Sequence, residues 1–484
     1  MSDLHWLSAT QLAAKIRAKE VSSRESLECL LERVERLDGP INSVVTIDAE
    51  RARREADEAD ADLARGDIRG PLHGVPMTVK DSFSTKNMRT TSGAPELSDH
   101  VPTADAAPVA RLREAGAVIY GKTNLPIYAG DFQSYNEVFG TTNNPHDLSR
   151  SPGGSSGGSA AALACGFTPL ELGSDIGGSI RFPAHMSGVV GHKPSYGIVP
   201  AHGQIPGPPG TLTQADLAVA GPMARTVEDL SLGLGLMVGP DRWNTPAWRI
   251  DLPPARKSRV ADYRIAVWSD DPHCPVDPDV KRLIESAATR LSEAGAAVDP
   301  DARPGFTLER VALRFAQLLN AALSGGHSQQ EIESYAADTS HSAVGDVKRQ
   351  TAMRHRDWLS ANESRLQMRR QWEQFFDADS GPGFDVLLCP VMPRTAVEHN
   401  HLPAQAARTI FYGGQERPYM TAIHWSAPAG ACWLPATVVP VGIAGDGLPV
   451  GVQIIGPYLG DRTTLAVAAH LSEMLGGVPR PAGF

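Results

Sequence analysis

The sequence predicts an α/β layered domain. Segments with strand periodicity alternate with segments of helical periodicity along the 484-residue chain, a pattern typical of helices layered on a sheet. Hydrophobic residues make up 42% of the chain, which is enough to form a substantial core. Neither a fixed-period repeat nor a low-complexity tail interrupts the pattern. We therefore expect residues 1–484 to form one continuous domain.

The N-terminal region predicts two helices followed by a strand and a charged helix. Ser8 with Gln11, and Ser22 with Glu25, match the capping box that begins many helices. The second helix has one apolar stripe at helical spacing, formed by Leu27, Leu30, Leu31, Val34 and Leu37. The strand is expected at 43–47 and the charged helix at 49–67.

Later segments repeat the alternation. Val75, Met77 and Val79 alternate with Pro76, Thr78 and Lys80, which predicts a strand with Lys80 on the opposite face. A helix, a stop at Gly116 and a short strand are expected within 107–124. A strand, a helix and a second strand are expected within 263–298, and the helix should have Asp277 as its N-cap and Pro278 at its first position. Two late buried strands are expected at 384–391 and 448–456.

Residues 304–383 are more polar and mostly helical in pattern, which favours a helical insertion or lid. The uncharged stretch 427–445 contains three prolines and three glycines. That content argues against a membrane helix and predicts strand–turn–strand core.

Composition excludes several function classes. A net charge of -10 and a pI near 5.8 argue against binding to nucleic acid or an anionic membrane. The five scattered cysteines fit a reducing compartment and lack metal-ligand spacing. The N-terminus has no secretion-signal pattern. We therefore expect a cytoplasmic protein.

Two glycine–serine clusters, "SPGGSSGGSA" at 151–160 and "LGSDIGGSIRFPA" at 172–184, dominate the search for a functional site. A flexible linker is disfavoured because core-like sequence flanks both clusters. Neither cluster has the spacing of a phosphate-binding loop. Ser156 lies at the centre of a G-x-S-x-G match, but a proline-containing loop precedes it where a nucleophile elbow needs a buried strand.

A catalytic interpretation uses both clusters. Consecutive N–H groups near Gly177 and Gly178 can stabilise an oxyanion, with Ser179 beside them as nucleophile. A serine hydroxyl needs a base. Isolated histidines such as His185 and His192 are more often structural, so Lys80 is the alternative base.

The chain resembles the amidase signature family of hydrolases. The resemblance rests on "GVPMTVKDSF" (74–83), "GKTNLP" (121–126), "FGTTNNP" (139–145) and the glycine–serine segments through "GVVGHKPSYGIVP" (188–200). It covers roughly 70–200, with weaker agreement at 221–230 and near the C-terminus. The implied fold is the amidase signature fold, a large central mixed β-sheet covered by α-helices on both sides.

The resemblance also implies a Ser–cisSer–Lys triad. Ser179 would be the nucleophile, Ser155 the relay and Lys80 the ultimate base. The implied oxyanion and substrate-binding residues are Ile176, Gly177, Gly178 and Ala129, with the N–H of Ser179 as a further donor. The implied supporting residues are Ser156, Ser174, Asp175 and Arg181. His192 stands where the family usually has leucine, and Ser174 where it usually has threonine.

Lys80 carries the strictest physical demand. It must be neutral to accept a proton, although the pKa of lysine is ordinarily about 10.4. Burial or nearby positive charge must therefore lower that pKa. The simpler alternative is an ordinary ion pair between Lys80 and its neighbour Asp81.

The predicted function is hydrolysis of carboxylic amides through a Ser179 acyl-enzyme, with esters or aryl carbamates as further substrates. We expect no cofactor and no metal, and a small-molecule amide as the binding partner; a homodimer is left open. One alternative is the A subunit of a tRNA-dependent glutamine amidotransferase, although residues 354–376 do not resemble the corresponding region of that protein. The other is a non-catalytic binding protein on the same fold.

Overall fold

The computed structural model describes residues 4–205, 208–477 and 479–484. Its α-helices are α1 (Ala9–Arg17), α2 (Ser23–Leu37), α3 (Ala49–Arg65), α4 (Ala107–Glu114), α5 (Gly157–Ala164), α6 (Arg181–Ser187), α7 (Val227–Met237), α8 (Pro278–Glu293), α9 (Leu308–Leu323), α10 (Gln329–Ala336), α11 (Ala343–Thr351), α12 (His355–Phe376), α13 (Ala427–Gly430) and α14 (Asp461–Leu475). Its strands are β1 (Val44–Ile47), β2 (Pro76–Lys80), β3 (Val118–Thr123), β4 (Tyr135–Asn136), β5 (Gly140–Thr141), β6 (Leu170–Asp175), β7 (Val190–Lys193), β8 (Val219–Ala224), β9 (Arg264–Val267), β10 (Ala297–Asp299), β11 (Val386–Pro390), β12 (Thr409–Tyr412), β13 (Gln415–Pro418), β14 (Ala436–Ile443) and β15 (Pro449–Ile455).

The central sheet is mixed and has eight strands in the order β10-β9-β11-β15-β14-β7-β8-β6. The β10, β9 and β11 strands are parallel. The neighbours from β11 through β15, β14, β7 and β8 to β6 are antiparallel. Because two antiparallel steps restore direction, β6, β7 and β15 end at the same edge of the sheet.

Helices cover both faces of this sheet. In β14, Thr437 lies opposite Ile454 of β15, and its hydroxyl bonds Thr464 of α14 at 2.9 Å. The neighbouring residue Gln453 points to the other face, where it accepts a hydrogen bond from Arg181 of α6. Since successive strand residues face opposite sides, α14 and α6 lie on opposite faces, as predicted.

A smaller sheet, β1-β3-β2, positions Lys80. The β2 strand pairs in parallel with β3 and also contacts β6, the edge strand of the central sheet. The Thr78 N–H donates to the Thr168 hydroxyl at 3.2 Å. Thr168 lies just before β6, and the Lys80 amine donates to the Ser174 hydroxyl near the other end of that strand, so the C-terminal end of β2 lies beside the end of β6.

Most local predictions are confirmed. Both capping boxes form, at Ser8 and at Ser22. The strands expected near 43–47 and 73–81 are β1 and β2, and the charged helix is α3. The 107–124 segment contains α4 and β3; the 263–298 segment contains β9, α8 and β10. The late strands are β11 and β15.

The strand–turn–strand prediction for 427–445 is wrong in its first half. Residues Ala427–Gly430 form the short helix α13, and only β14 is a strand. Pro428 fits the first turn of a helix, and a Cβ added at Gly430 would lie 3.1 Å from the Phe315 ring of α9. Tertiary packing of small residues under α9 therefore decides this segment. Within the described residues, no helix is both long and apolar enough to cross a membrane.

The helical prediction for 304–383 is confirmed by α9, α10, α11 and α12. The α9 helix approaches the second glycine–serine cluster, because a Cβ added at Gly177 would lie 3.9 Å from Leu319. A lid role for this region and the single-domain organisation of 1–484 both stay predictions.

Candidate active site

Lys80, the last residue of β2, lies at the centre of a cluster of serines. Its side chain is fully buried. Its amine donates hydrogen bonds to three serine hydroxyls, those of Ser155 (2.6 Å), Ser174 (2.9 Å) and Ser156 (3.0 Å). The fold therefore brings together residues from β2, β6 and the loop before α5 around one amine.

Burial lowers the pKa of Lys80 to about 7, although the negative charges of Asp175 and Glu171 act in the opposite direction. An amine with this pKa is partly neutral at physiological pH, as a base requires. The Asp81 carboxylate bonds Thr91 and lies 3.8 Å from Lys122. Asp81 is therefore paired away from Lys80, and the simple ion-pair alternative does not hold.

The loop between Gly153 and Gly157 carries the relay candidate. The Gly154–Ser155 peptide is cis, as the resemblance implied. A Cβ added at Gly154 would lie 2.7 Å from the Asp131 carbonyl oxygen and from the Gln133 nitrogen. Only glycine fits at such a distance, so this loop packs directly on the 131–133 segment.

Ser179 lies in the turn after β6 and is 8% exposed. The Ser156 N–H donates to the Ser179 carbonyl at 3.1 Å, which joins the two glycine–serine clusters. Across the described parts of the chain, the hydroxyls of Ser155 and Ser179 form no direct hydrogen bond with each other. Proton transfer between them therefore requires a rotation of these side chains or a change on substrate binding.

Asp175 organises the Ser179 turn. Its carboxylate accepts hydrogen bonds from the N–H groups of Gly178 (2.9 Å) and Ile180 (3.1 Å) and lies 2.9 Å from the Arg181 guanidinium. Burial acts to raise the pKa of Asp175, but the charges of Arg181 and Lys193 and the hydrogen bonds from Arg181 and the Ile180 N–H together hold that pKa below its ordinary value. Arg181 also donates to Gln453 and to the Ser426 carbonyl. The predicted supporting pair is therefore a buried ion pair that shapes the turn.

The predicted oxyanion donors differ in availability. The Gly178 N–H is already donated to Asp175, so Gly178 cannot offer that N–H to a substrate in this conformation. The N–H groups of Ile176, Gly177 and Ser179 have no protein acceptor within the described residues. Ile176 and Gly177 are half-buried, so their two N–H groups and that of Ser179 itself are the donors still available at this turn.

Ala129 lies in a left-handed turn with φ 57° and is half-buried. It precedes Asp131, whose carbonyl packs on Gly154. The substrate-binding role of Ala129 stays a prediction.

The histidines near the clusters have structural partners. His185 bonds the Arg394 carbonyl (2.9 Å) and the Gly451 N–H (3.0 Å). His192, which departs from the usual leucine, bonds Thr437 at 2.9 Å and Asp461 at 3.1 Å on the α14 side of the sheet. Neither histidine has a hydrogen bond to Ser179 within the described residues.

Sequence reasoning missed three residues that contact the site. Ser134 bonds the two ends of the Gly153–Gly157 loop. Glu171 bonds Thr78, and burial raises its pKa to about 7. The Ser426 hydroxyl donates to the Gly177 carbonyl at 2.8 Å. The buried-strand pattern of "LELGSD" marks Glu171 as an unusual charged residue, whereas single serines at 134 and 426 carry no signal.

The structure disfavours the other interpretations of the clusters. The residues before Ser156 form a loop, with β5 as the preceding strand, so the nucleophile-elbow context is missing. Among the residues that the structure describes, no group of three or more His, Cys, Asp or Glu side chains could hold a metal ion.

Comparisons with known proteins agree on one family. A family profile described as "Amidase" matches residues 25–465. The A subunit of the Glutamyl-tRNA(Gln) amidotransferase from Moorella thermoacetica is 34% identical over 493 residues, covering 96% of each chain.

Solved structures agree as well. A bacterial aryl acylamidase of the amidase signature family superposes with a TM-score of 0.82 at 25% identity, covering 98% of this chain and 97% of that one. The 6-aminohexanoate cyclic dimer hydrolase gives 0.80 at 29% identity, with coverage of 100% and 99%. These likenesses confirm the predicted fold.

Proposed function

The chain belongs to the amidase family, and on this premise we propose that it cleaves carboxylic amides through an acyl-enzyme on Ser179. The observation that carries the proposal is the contact between the buried Lys80 amine and the Ser155 hydroxyl, 2.6 Å apart. This buried amine has a lowered pKa and no carboxylate within hydrogen-bond distance in the described parts of the chain, so it is suited to act as a base.

In this proposal, neutral Lys80 accepts the proton of the Ser155 hydroxyl, and Ser155 accepts the proton of Ser179 as the Ser179 oxygen bonds the carbonyl carbon. The resulting oxyanion is stabilised by the free N–H groups of Ile176, Gly177 and Ser179. The relay then returns a proton to the leaving amine as the C–N bond breaks. Water attacks the acyl-enzyme by the same route and releases the acid.

The Asp175–Arg181 pair has a supporting role in this scheme. It fixes the turn that presents Ser179, because its carboxylate binds two N–H groups of that turn. Ser156 and Ser174 keep the Lys80 amine in place through their hydroxyls. Esters and aryl carbamates fit the same chemistry, because their leaving groups also accept the relayed proton.

Labelling with a fluorophosphonate tests the proposal without a known substrate. We expect a single adduct on Ser179, detected by mass spectrometry of the digested protein. A non-catalytic binding protein would stay unlabelled, which would overturn the proposal.

Substitution of the triad gives a second test. Lys80→Ala, Ser155→Ala and Ser179→Ala should each lower amide turnover by about three orders of magnitude or more while circular dichroism stays unchanged. Retained turnover in the Ser179 variant would contradict the assignment of the nucleophile.

The A subunit of a tRNA-dependent glutamine amidotransferase is the other candidate function, and the curated relative from Moorella thermoacetica favours it over stand-alone amide hydrolysis. Its amide substrate would be glutamine and its product ammonia, used in a complex with tRNA and other subunits. Glutamine-dependent ammonia release that requires added partner subunits would support this candidate. Turnover of short aliphatic amides, anilides or aryl carbamates by the isolated chain would support a stand-alone amidase. A cytoplasmic location is proposed in either case.

A further inference from the structure

The N-terminus of α5 has an unusual cap. Ser156 occupies the N-cap position, where a serine side chain ordinarily accepts a hydrogen bond from an N–H of the first turn. Its side chain makes no such bond. The Ser156 hydroxyl instead accepts a hydrogen bond from Lys80 at 3.0 Å, so the serine is used by the candidate relay and not by the helix.

Ser134 bonds the N-terminus of α5 in place of Ser156. The Ser134 hydroxyl accepts a hydrogen bond from the Gly157 N–H at 3.1 Å and donates one to the Gly153 carbonyl at 3.0 Å. Gly153 and Gly157 are the two ends of the loop that carries Ser155 and Ser156. One buried hydroxyl therefore closes this loop across both serines.

We propose that Ser134 is a positioning residue for the proton relay, which closes the Gly153–Gly157 loop and leaves the Ser156 hydroxyl free for Lys80. This inference rests on the proposed function. Ser134 itself has no hydrogen bond to Lys80 or Ser179 within the described residues, so it acts through the loop.

Close packing makes this role specific to Ser134. A Cβ added at Gly157 would lie 2.3 Å from the Ser134 hydroxyl oxygen, so the loop and Ser134 fit without spare space. The segment before Ser134 is anchored in turn by the buried contact of Asp131 with Arg408 at 2.7 Å. Ser134 is therefore held on a rigid support, and its hydroxyl passes that rigidity to the relay loop.

Removal of the hydroxyl has a defined consequence. In Ser134→Ala, the Gly157 N–H and the Gly153 carbonyl lose their partner in a buried place, which is unfavourable. The Ser156 hydroxyl can then turn to the helix N-terminus, its ordinary role as an N-cap residue. Lys80 would lose one acceptor, and Ser155 would no longer be held at the distance that proton transfer needs.

The test compares Ser134→Ala with Ser187→Ala, a matched control. The buried Ser187 hydroxyl donates to the Pro152 carbonyl at 3.0 Å, next to the loop but not across it. Both variants lose one buried hydroxyl, but Ser134→Ala leaves two buried backbone groups without a partner and Ser187→Ala leaves one, so the melting temperature should fall further in Ser134→Ala. We expect the rate of Ser179 labelling by a fluorophosphonate, and kcat on any amide substrate found, to fall about 10- to 100-fold in Ser134→Ala, with KM within about twofold.

Ser134→Cys is the second variant, for the case that Ser134→Ala does not fold. The thiol still fills the space that alanine would leave empty, although it is somewhat larger than the hydroxyl, and it is a weak hydrogen-bonding group, so labelling should again be slow in a folded protein. The pH profile of labelling supplies a readout that a general loss of stability would not move. The hydrogen bond that the Lys80 amine donates to Ser156 favours the charged form of Lys80. Its loss should lower the pKa of Lys80 and shift the acid limb of the pH–rate profile to lower pH by about 0.5. The charged groups facing Lys80, Asp175 and Glu171, are unchanged in all variants.

The outcomes separate this inference from the proposed function. Labelling of wild-type Ser179 with slow labelling of both Ser134 variants and normal labelling of Ser187→Ala would support the inference. Wild-type rates in the Ser134 variants, or equal slowing in Ser187→Ala, would overturn it and leave the proposed function standing. Absence of labelling in the wild-type protein would overturn both.

Discussion

At the scale of single residues, Lys80 is a fully buried lysine that has no carboxylate within hydrogen-bond distance among the residues that the structure describes. Three serine hydroxyls accept its hydrogen bonds instead. Hydroxyls satisfy the donors of the amine without adding a negative charge that would keep it protonated. This arrangement explains how burial can lower the pKa while the amine stays hydrogen-bonded.

The pKa of Lys80, lowered to about 7 by burial, predicts the pH dependence of the reaction. Lys80 accepts a proton only when neutral, so the labelling rate of Ser179 and kcat/KM should rise with pH and reach half of the plateau near pH 7. Lys80→Met should abolish this limb together with most of the rate. A pH-independent rate between pH 6 and 9 in the wild-type protein would show that another group is the base.

Two adjacent glycines of the Ser179 turn should respond differently to alanine. Gly178 has φ 121°, and a Cβ added there would lie 2.1 Å from the Phe182 ring. A Cβ added at Gly177 would lie 3.9 Å from the Leu319 side chain, which is an ordinary contact distance. We expect Gly178→Ala to lower the free energy of unfolding by about 2 to 5 kcal/mol and Gly177→Ala to change it little. Urea unfolding measures both. Equal losses would contradict the geometry of this turn.

At the scale of elements, a buried ion pair ties the β12–β13 hairpin to the site. Arg408, the residue before β12, contacts Asp131 at 2.7 Å, and the Tyr419 hydroxyl donates to the same carboxylate at 2.7 Å. Phe132 stacks on the Tyr419 ring, with centroids 4.0 Å apart. Because Asp131 and Phe132 also pack on Gly154, the hairpin supports the loop that carries Ser155.

Single and double substitutions of Asp131 and Arg408 should show that the two residues stabilise the fold as a coupled ion pair. Arg408→Met leaves the buried Asp131 carboxylate without its cation, so we expect a loss of about 3 kcal/mol in the free energy of unfolding. The double variant Asp131→Asn/Arg408→Met should lose less, because no uncompensated charge remains. Arg259→Met, at an exposed pair with Asp262, should leave unfolding unchanged. Additive losses in the double variant would show that Asp131 and Arg408 are not coupled.

At the scale of the whole molecule, the fold holds together without disulfides. All five cysteines are free, four of them buried and Cys29 half-buried. Burial raises the pKa of the Cys389 and Cys432 thiols to about 12, which keeps them as inert thiols. The core therefore depends on apolar packing over the two faces of the central sheet.

This arrangement predicts that the melting temperature is the same with and without a reductant, measured by differential scanning calorimetry. Free thiols make no covalent cross-link whose reduction could destabilise the fold. A lower melting temperature in the reductant would reveal a disulfide and contradict the structure.

Local patterns predicted most elements, and the family resemblance supplied the candidate site residues, whose roles stay predictions. The capping boxes at Ser8 and Ser22 and the alternation before Lys80 depend on neighbouring residues, which the sequence displays directly. The 427–445 segment was mispredicted because its helical half is decided by packing under α9. The same limit applies to Gly178, whose N–H was expected to serve an oxyanion but is bound by Asp175.

The sequence by itself determined the family, the layered architecture and the residue types of the candidate site, because motif spacing and periodicity are properties of adjacent residues. Only the tertiary structure decided which partners those residues have. It placed Asp81 against Lys122, three serines around Lys80, and Ser134 across the Gly153–Gly157 loop. These contacts join residues from separate elements, and their energies depend on burial and distance, which no local pattern encodes.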